Sequence, residues 1–302
     1  MAYATGYSVP QSVPPKSPRE TLPTMYDLPS EFPEEPGLPD EFHALQPQLL
    51  ARTLTLTTYT RNEWFCGSDL NLYYDVQHPL WHKRPDWFLA VGVPRLYDGH
   101  DMRRSYVVWQ EGESPTVVVE FLSPGTEASD LGRFYSGTDA VEPTDPADPP
   151  QAKKSDTTPD KLTVYERYLR IPHYLVYSRH TRRLRYFQLL AGRYQERSLS
   201  TELPTVWLED LTIGLGIWEG EFEGVSGHWL RWCDRDGNWL LTDTEQERHA
   251  KEQERFAKEQ ERFAKEQERL AKEQERLARE QAEQRANQLE QRLRELGIDP
   301  DQ

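Results

Sequence analysis

Cysteine is scarce in this chain: Cys66 and Cys233 are the only two. That is too few for a metal knuckle or a disulfide framework, and it fits a reducing, cytoplasmic setting. No apolar run reaches the ~20 residues that a membrane span needs, so no membrane partner is expected. The opening Met1-Ala2-Tyr3-Ala4-Thr5 lacks a basic segment followed by an apolar one, so no signal peptide is expected either. Apolar residues make up only 36% of the chain, and the mean hydropathy of -0.85 is low for a compact protein of this size. The polar excess sits mainly at the two ends, leaving the middle an ordinary core-former. Positive charge is short as well, with a net -15 over 302 residues. About five of those negative charges fall in residues 1–44 and about three in residues 245–302. Such a balance gives no broad electrostatic footprint for nucleic acid. A local basic face around Arg179, Arg182, Arg183 and Arg185 is the one exception, and solvated arginines beside a hairpin are the simpler reading of it.

Composition divides the chain into three parts. Residues 1–44 form a proline-rich tail with at most a short turn at Tyr26-Asp27-Leu28-Pro29-Ser30. Residues 45–244 form the folded domain, and residues 245–297 a heptad helix. Within the domain, 134–160 loses all periodicity around Pro143, Pro146, Pro149, Pro150 and Pro159, so a flexible insertion is expected. Its acids Asp139, Glu142, Asp145 and Asp148 read as solvated linker and not as metal ligands.

Elements follow from pattern and punctuation. Pro39-Asp40-Glu41-Phe42 predicts a capped helix to about Leu50. Asn71 to Asp75 is the better strand candidate between Leu54 and Asp75. Strands are predicted over Asp86 to Val93, Tyr106 to Trp109, Thr116 to Leu122 and His173 to Tyr177. Asp160 caps a helix through about Leu169, with Leu162, Tyr165, Tyr168 and Leu169 as its apolar stripe. That intervening helix makes parallel pairing of the strands on either side natural. Arg183 to Leu190 and Arg193 to Leu199 predict a hairpin turning at Ala191-Gly192, and His228 to Leu241 a second one turning at Asp234 to Asn238. Trp229, Trp232 and Trp239 read as packing anchors.

The terminal segment repeats Ala250-Lys251-Glu252-Gln253-Glu254-Arg255-Phe256 with small changes, setting Phe256, Phe263, Leu270 and Leu277 seven residues apart. A long helix follows. Gln253, Gln260, Gln267 and Gln274 occupy the companion seam position, so a coiled coil is weak there. Leu289, Leu293 and Leu296 give better spacing, and Gly297 and Pro300 end the helix. Weak self-association, or capture of another protein, is the expected use of this helix.

The chemistry centres on one acid. Glu120 lies inside Val117-Val118-Val119-Glu120-Phe121-Leu122, a run apolar enough to be covered on both faces. A carboxylate there is costly without a cation or hydrogen-bond partners. Asp86 begins another apolar strand, and Lys161 sits in a first helical turn, where the helix dipole disfavours a cation. Two acids on adjacent strands suit a hard divalent cation, which acidifies a bound water and stabilises a pentavalent phosphate, with a lysine to orient the attack. Removing that lysine is expected to abolish cleavage and leave folding nearly intact. Ser123 lacks the Gly-x-Ser-x-Gly setting of a hydrolase nucleophile. His78 and His82 precede Asp86 closely, but packed or solvent-facing roles are the simpler reading for both.

Arg84-Pro85-Asp86-Trp87-Phe88, the Glu120 stretch continuing through Ser123-Pro124-Gly125-Thr126-Glu127, and Lys161 through Tyr165 to Ile171-Pro172-His173-Tyr174 together resemble the Uma-type restriction endonuclease family of the PD-(D/E)XK nuclease superfamily. The resemblance covers about Leu45 to Leu241. It implies an α/β (α+β mixed-sheet) fold, with a restriction-endonuclease-like core, added β-hairpins and the long C-terminal helix. It also implies a Mg2+- or Mn2+-dependent endonuclease that hydrolyses phosphodiester bonds of nucleic acid, DNA being favoured, by metal-activated water. Carried over by position, Asp86, Glu120 and Lys161 are catalytic, and Asp86, Glu120 and the Phe121 carbonyl bind the metal. The strand lysine of the superfamily is absent, Leu122 standing there, and Lys161 matches the family's helical substitute. The competing expectation is a catalytically degenerate nuclease fold that serves as a binding module, oligomerised by its C-terminal coiled coil.

Overall fold

The computed structural model of the chain describes residues 40–123, 126–135, 158–200 and 205–295. The expected turn at 26–30, the body of the 134–160 insertion with its four acids, Pro124-Gly125, and Leu296, Gly297 and Pro300 lie outside the described residues. The chain divides into two units, Met1–Leu240 and Leu241–Gln302. In chain order the first holds α1 (Glu41–Thr53), β1 (Trp64–Gly67), β2 (Leu72–Tyr73), β3 (His82–Lys83), β4 (Trp87–Val91) and β5 (Tyr106–Val107). Next come α2 (Val108–Glu111), β6 (Val117–Phe121), α3 (Glu127–Leu131) and α4 (Lys161–Thr163), the last continuing as a π-helical turn over Val164–Tyr168. The unit ends with β7 (His173–Ser178), β8 (Arg183–Leu190), β9 (Arg193–Arg197), β10 (Thr205–Leu208), β11 (Ile213–Phe222) and β12 (Val225–Cys233).

Six strands form one mixed sheet in the order β1-β4-β6-β7-β8-β9. β6 runs parallel to β7, with Glu120 opposite Val176, and antiparallel to β4, with Trp87 opposite Val119. A helical crossover between β6 and β7 is what permits the parallel pair. All five residues of β6 are buried, because both faces of the sheet are covered. Val117, Val119 and Phe121 join Leu175, Tyr177 and Tyr186 in a core that includes α1 and the β10-β11-β12 sheet. Val118, Leu122, Tyr174, Val176 and Phe187 face the other way, onto Leu162, Val164, Tyr165 and Leu169. Alternation therefore carries Glu120 to that second, helix-covered face.

α1 starts at Glu41, inside the stretch expected as tail, and runs to Thr53, past the expected end at Leu50. Buried Gln46 joins it to β12 by two hydrogen bonds, donating to Leu230 O and accepting from Leu230 N, each 2.8 Å. Trp232 Nε1 donates to Leu50 O at 2.9 Å.

Four local expectations are corrected. The strand expected over Tyr106 to Trp109 ends at Val107 and turns into α2, closed by Gly112 in the left-handed region (φ 81°). Between Leu54 and Asp75 the longer strand is Trp64–Gly67, paired along four residues with β4, and the favoured Asn71–Asp75 contributes only Leu72–Tyr73. The helix after Asp160 has one α turn before it widens, leaving Tyr168 44% exposed and outside the buried stripe. The second hairpin is β11–β12, turning at Glu223-Gly224, while Asp234 to Asn238 leads only to a single bridge between Cys233 and Trp239. Trp229 and Trp232 are buried as packing anchors.

The second unit is one helix, α5 (Asp243–Glu295), of 53 residues. Its start is a capping box in which Thr242 N donates to Glu245 Oε2 (2.8 Å) and Glu245 N to Thr242 Oγ1 (3.2 Å). Ion pairs one turn apart run along it: Glu254–Lys258, Glu261–Lys265 and Glu268–Lys272, each 2.6 Å. The heptad stripe remains exposed, from 66% at Phe263 to 45% at Leu277. Among the described residues no helix is long and apolar enough to cross a membrane.

Candidate active site

The sheet register brings Asp86, Glu120 and Lys161 together. Asp86 stands just before β4 and Glu120 one residue from the end of β6, so both carboxyls meet at one sheet end. Asp86 N donates to Glu120 Oε2 (3.3 Å), and Asp86 Oδ2 accepts from Phe121 N (2.6 Å). The two acids thus stay on a common side, each latched to the other's strand.

Lys161 reaches the pair from α4, where the Asp160 side chain caps the turn by accepting from Thr163 N at 2.8 Å. Its Nζ lies 3.0 Å from Glu120 Oε2 and 2.9 Å from Asp130 Oδ1. Tyr165, one turn further along, donates its hydroxyl to Glu120 Oε1 at 2.7 Å. Asp130 is a buried member of the site that the sequence reading passed over. Its backbone oxygen accepts from Tyr174 OH at 2.8 Å, which fixes α3 over β7.

Charge in this pocket is unbalanced. Glu120 and Asp130 are buried, Asp86 is half-buried, and Lys161 is the ammonium among them. Burial, reinforced by Asp86 and Asp130, drives the Glu120 carboxyl well above its ordinary value, against the pull of Lys161 and the Tyr165 hydroxyl. Burial likewise raises Asp86, although Lys161 and the Phe121 N–H oppose it. Burial alone would lower the lysine, but Glu120, Asp130 and Asp86 outweigh it and hold the ammonium above its usual range. With all three acids ionised the cluster carries two uncompensated negative charges. A divalent cation or bound protons would balance them.

The Phe121 carbonyl faces His43, whose Nε2 is 3.4 Å away. His78 and His82 do not join the site: His78 pairs with Asp75 at 2.7 Å and stacks on Trp81, and His82 accompanies Tyr73. His173 lies towards the other end of β7, opposite Val117, bonded to Tyr186 OH (2.7 Å) and Asp210 (2.9 Å). Among the described residues no three His, Cys, Asp or Glu side chains are gathered as a metal cluster. Asp86 and Glu120 are carboxylates, the donor type that hard divalent cations take, and the negative charge around them is in excess.

A mixed sheet with an acid ahead of one strand, an acid within its neighbour, a lysine on the crossover helix and a long C-terminal helix defines a restriction-endonuclease-like protein. The family model Uma2, described as "Putative restriction endonuclease", matches residues 20–218, and the chain belongs to that family. Nuclease-type function, with nucleic acid as the substrate class, is what this membership carries. No curated protein matches the chain.

Proposed function

We propose that the protein is a metal-dependent endonuclease that hydrolyses phosphodiester bonds, with Asp86, Glu120 and Lys161 as catalytic residues. The observation that carries this reading is the meeting of Glu120 and Asp130 on the Lys161 ammonium at a sheet end, with Asp86 bonded beside Glu120 and negative charge in excess. Asp86, Glu120 and the Phe121 carbonyl would hold Mg2+ or Mn2+. When bound, such an ion supplies Lewis acidity towards phosphate and acidifies water.

The chain's own groups divide the remaining work. Tyr165 and Lys161 hold the Glu120 carboxylate by its two oxygens, so it cannot rotate away from the strand end. Asp130 pins Lys161 from the other side, fixing the ammonium where it can orient a nucleophile and offset charge growing on phosphate. The substrate backbone would lie along the β7–β8 end. Arg185 stands in register with Val176 and Glu120, on the same face and about 10 Å from Glu120 by two strand spacings. Arg183 follows two residues away, on the rim of a groove of about 630 Å³ shared with Arg182 and Arg197. DNA is the favoured polymer.

The competing reading is a silent binding module, and one observation favours it: both Glu120 oxygens already accept hydrogen bonds. A cleavage assay on single- and double-stranded DNA and RNA with Mg2+ or Mn2+, beside Glu120→Gln, separates the two. Cleavage lost in the variant supports the enzyme. Nucleic-acid binding without cleavage under every condition supports the module.

A further inference from the structure

We propose that Lys83 is a further substrate-contacting residue of this site, its ammonium holding a backbone phosphate of the nucleic acid on the β4 side of Glu120. This deepens the nuclease reading above and rests on it. The position of Lys83 follows from the small sheet β3-β2-β5. Lys83 stands directly opposite Leu72 in the antiparallel β2–β3 pair, so the two side chains share a face. Leu72 is wholly buried on that face, in the same core as Leu162 and Tyr165 of the crossover helix. Two residues on, Tyr74 meets Tyr168 of that helix edge-on, with 5.3 Å between ring centroids. The face that carries Lys83 is therefore the one turned towards the helix that carries Lys161. Lys83 also precedes Asp86 by only three residues, at most about 10 Å of extended chain.

What Lys83 lacks is an anion. It is half-buried, and it has no ion pair or hydrogen bond among the described residues. Neighbouring cations are committed: Lys161 to Glu120 and Asp130, Arg84 to Asp69, and Arg133 to Glu166. Burial and the Lys161 ammonium lower the Lys83 amine, against the pull of Asp160, so the charges it feels are those at the start of α4. A half-buried ammonium near a second ammonium is stabilised by an anion that it can reach. A phosphodiester backbone supplies one. The acid cluster by itself repels such a polyanion, and Lys83 offsets that repulsion on the approach. In the sheet order β4 and β8 lie on opposite sides of β6, so Lys83 ahead of β4 and Arg183 on β8 flank Glu120. A backbone crossing the sheet end from Arg183 to Lys83 passes the acid pair between two cations.

The test is the salt dependence of binding by the full chain, read as fluorescence anisotropy of labelled single- and double-stranded DNA and RNA, in chelator and again in Mg2+. Lys83→Ala should weaken binding and reduce the slope of log affinity against log salt by about 0.7 on single strands and about 0.9 on duplex, the loss of one phosphate contact. Lys83→Arg keeps the charge and should keep the wild-type slope. Lys258→Ala removes the same charge from α5 and should leave the slope unchanged. Lys83→Gln, which keeps most of the side chain's length, should show the loss expected of Lys83→Ala and replaces it if the alanine variant fails to fold. Wild-type binding whose slope is unaltered by Lys83→Ala or Lys83→Gln overturns the Lys83 assignment and leaves the nuclease reading standing. A loss that Lys83→Arg shares in full is structural, and one that Lys258→Ala matches is a matter of net charge; either overturns the assignment. Absence of wild-type binding to every polymer in both conditions overturns the assignment and the nuclease reading together.

Discussion

Lys161→Met removes the ammonium that faces Glu120 and Asp130 while keeping most of the side chain's length. Three carboxyls then share the pocket with no cation among the residues that hold it now. Breaking a buried ion pair by deleting one partner costs about 3–5 kcal/mol. Lys161 is 21% exposed, so some of its interaction is screened and the lower end, about 3 kcal/mol, applies. For a domain of this size each kcal/mol moves Tm by about 2–4 °C, so a drop of about 6–12 °C is expected in chelator. Circular dichroism melts and urea titrations of Lys161→Met, Glu120→Gln and the double variant measure it. The double variant should recover a large part of the loss, because removing one acid relieves the repulsion that the missing lysine exposed. A Lys161→Met Tm within about 2 °C of wild type would refute this account of the cluster. The sequence alone leads to the opposite expectation, that losing Lys161 leaves folding nearly intact, and these melts decide between the two.

Three further outcomes are expected. Buried Glu166 accepts from Arg133 and from Tyr194 N (2.8 Å), and although burial opposes it, these partners hold its carboxyl below the ordinary 4.5. A depressed carboxyl stabilises the fold above its unfolded value and loses that contribution as pH falls through the folded one, so Glu166→Gln should cost about 1 kcal/mol at neutral pH and less in acid below 4.5, as pH-dependent urea midpoints would show. Arg183→Ala should weaken nucleic-acid binding and reduce the slope of log affinity against log salt by up to about 0.9, read by fluorescence anisotropy; an unchanged slope removes Arg183 from the substrate path. The heptad stripe should make the chain self-associate weakly through α5, with Leu289, Leu293 and Leu296 as its firmest contacts, whereas a chain ending at Thr244 sediments as a monomer; identical monomeric sedimentation of both at micromolar concentration would exclude this use of the helix.

Much of the site was legible because its signals were violations of local rules. Glu120 stands where an apolar strand should not tolerate an acid, and Lys161 where a helix dipole disfavours a cation. Asp130 carried no such signal, sitting among Glu127, Ser129 and other polar residues where burial is invisible from pattern. Tyr165 was assigned to the apolar stripe, and its spacing of four from Lys161 was the clue that its hydroxyl shares the lysine's face. β11 escaped because Gly214, Gly216 and Gly220 weaken a strand's pattern. At Gly214 the glycine answers to packing, since an added Cβ would lie 2.5 Å from Cys233 Sγ across the hairpin. Partner strands of this kind cannot be read from one segment alone.

Metal-dependent cleavage itself tests the central claim most directly. Wild-type protein and Glu120→Gln, confirmed folded by circular dichroism, would be incubated with labelled DNA and RNA in Mg2+, Mn2+ or chelator. The account predicts cleavage by wild type only with a divalent ion, and its loss in Glu120→Gln. Cleavage that persists undiminished in Glu120→Gln, or in chelator, would contradict it.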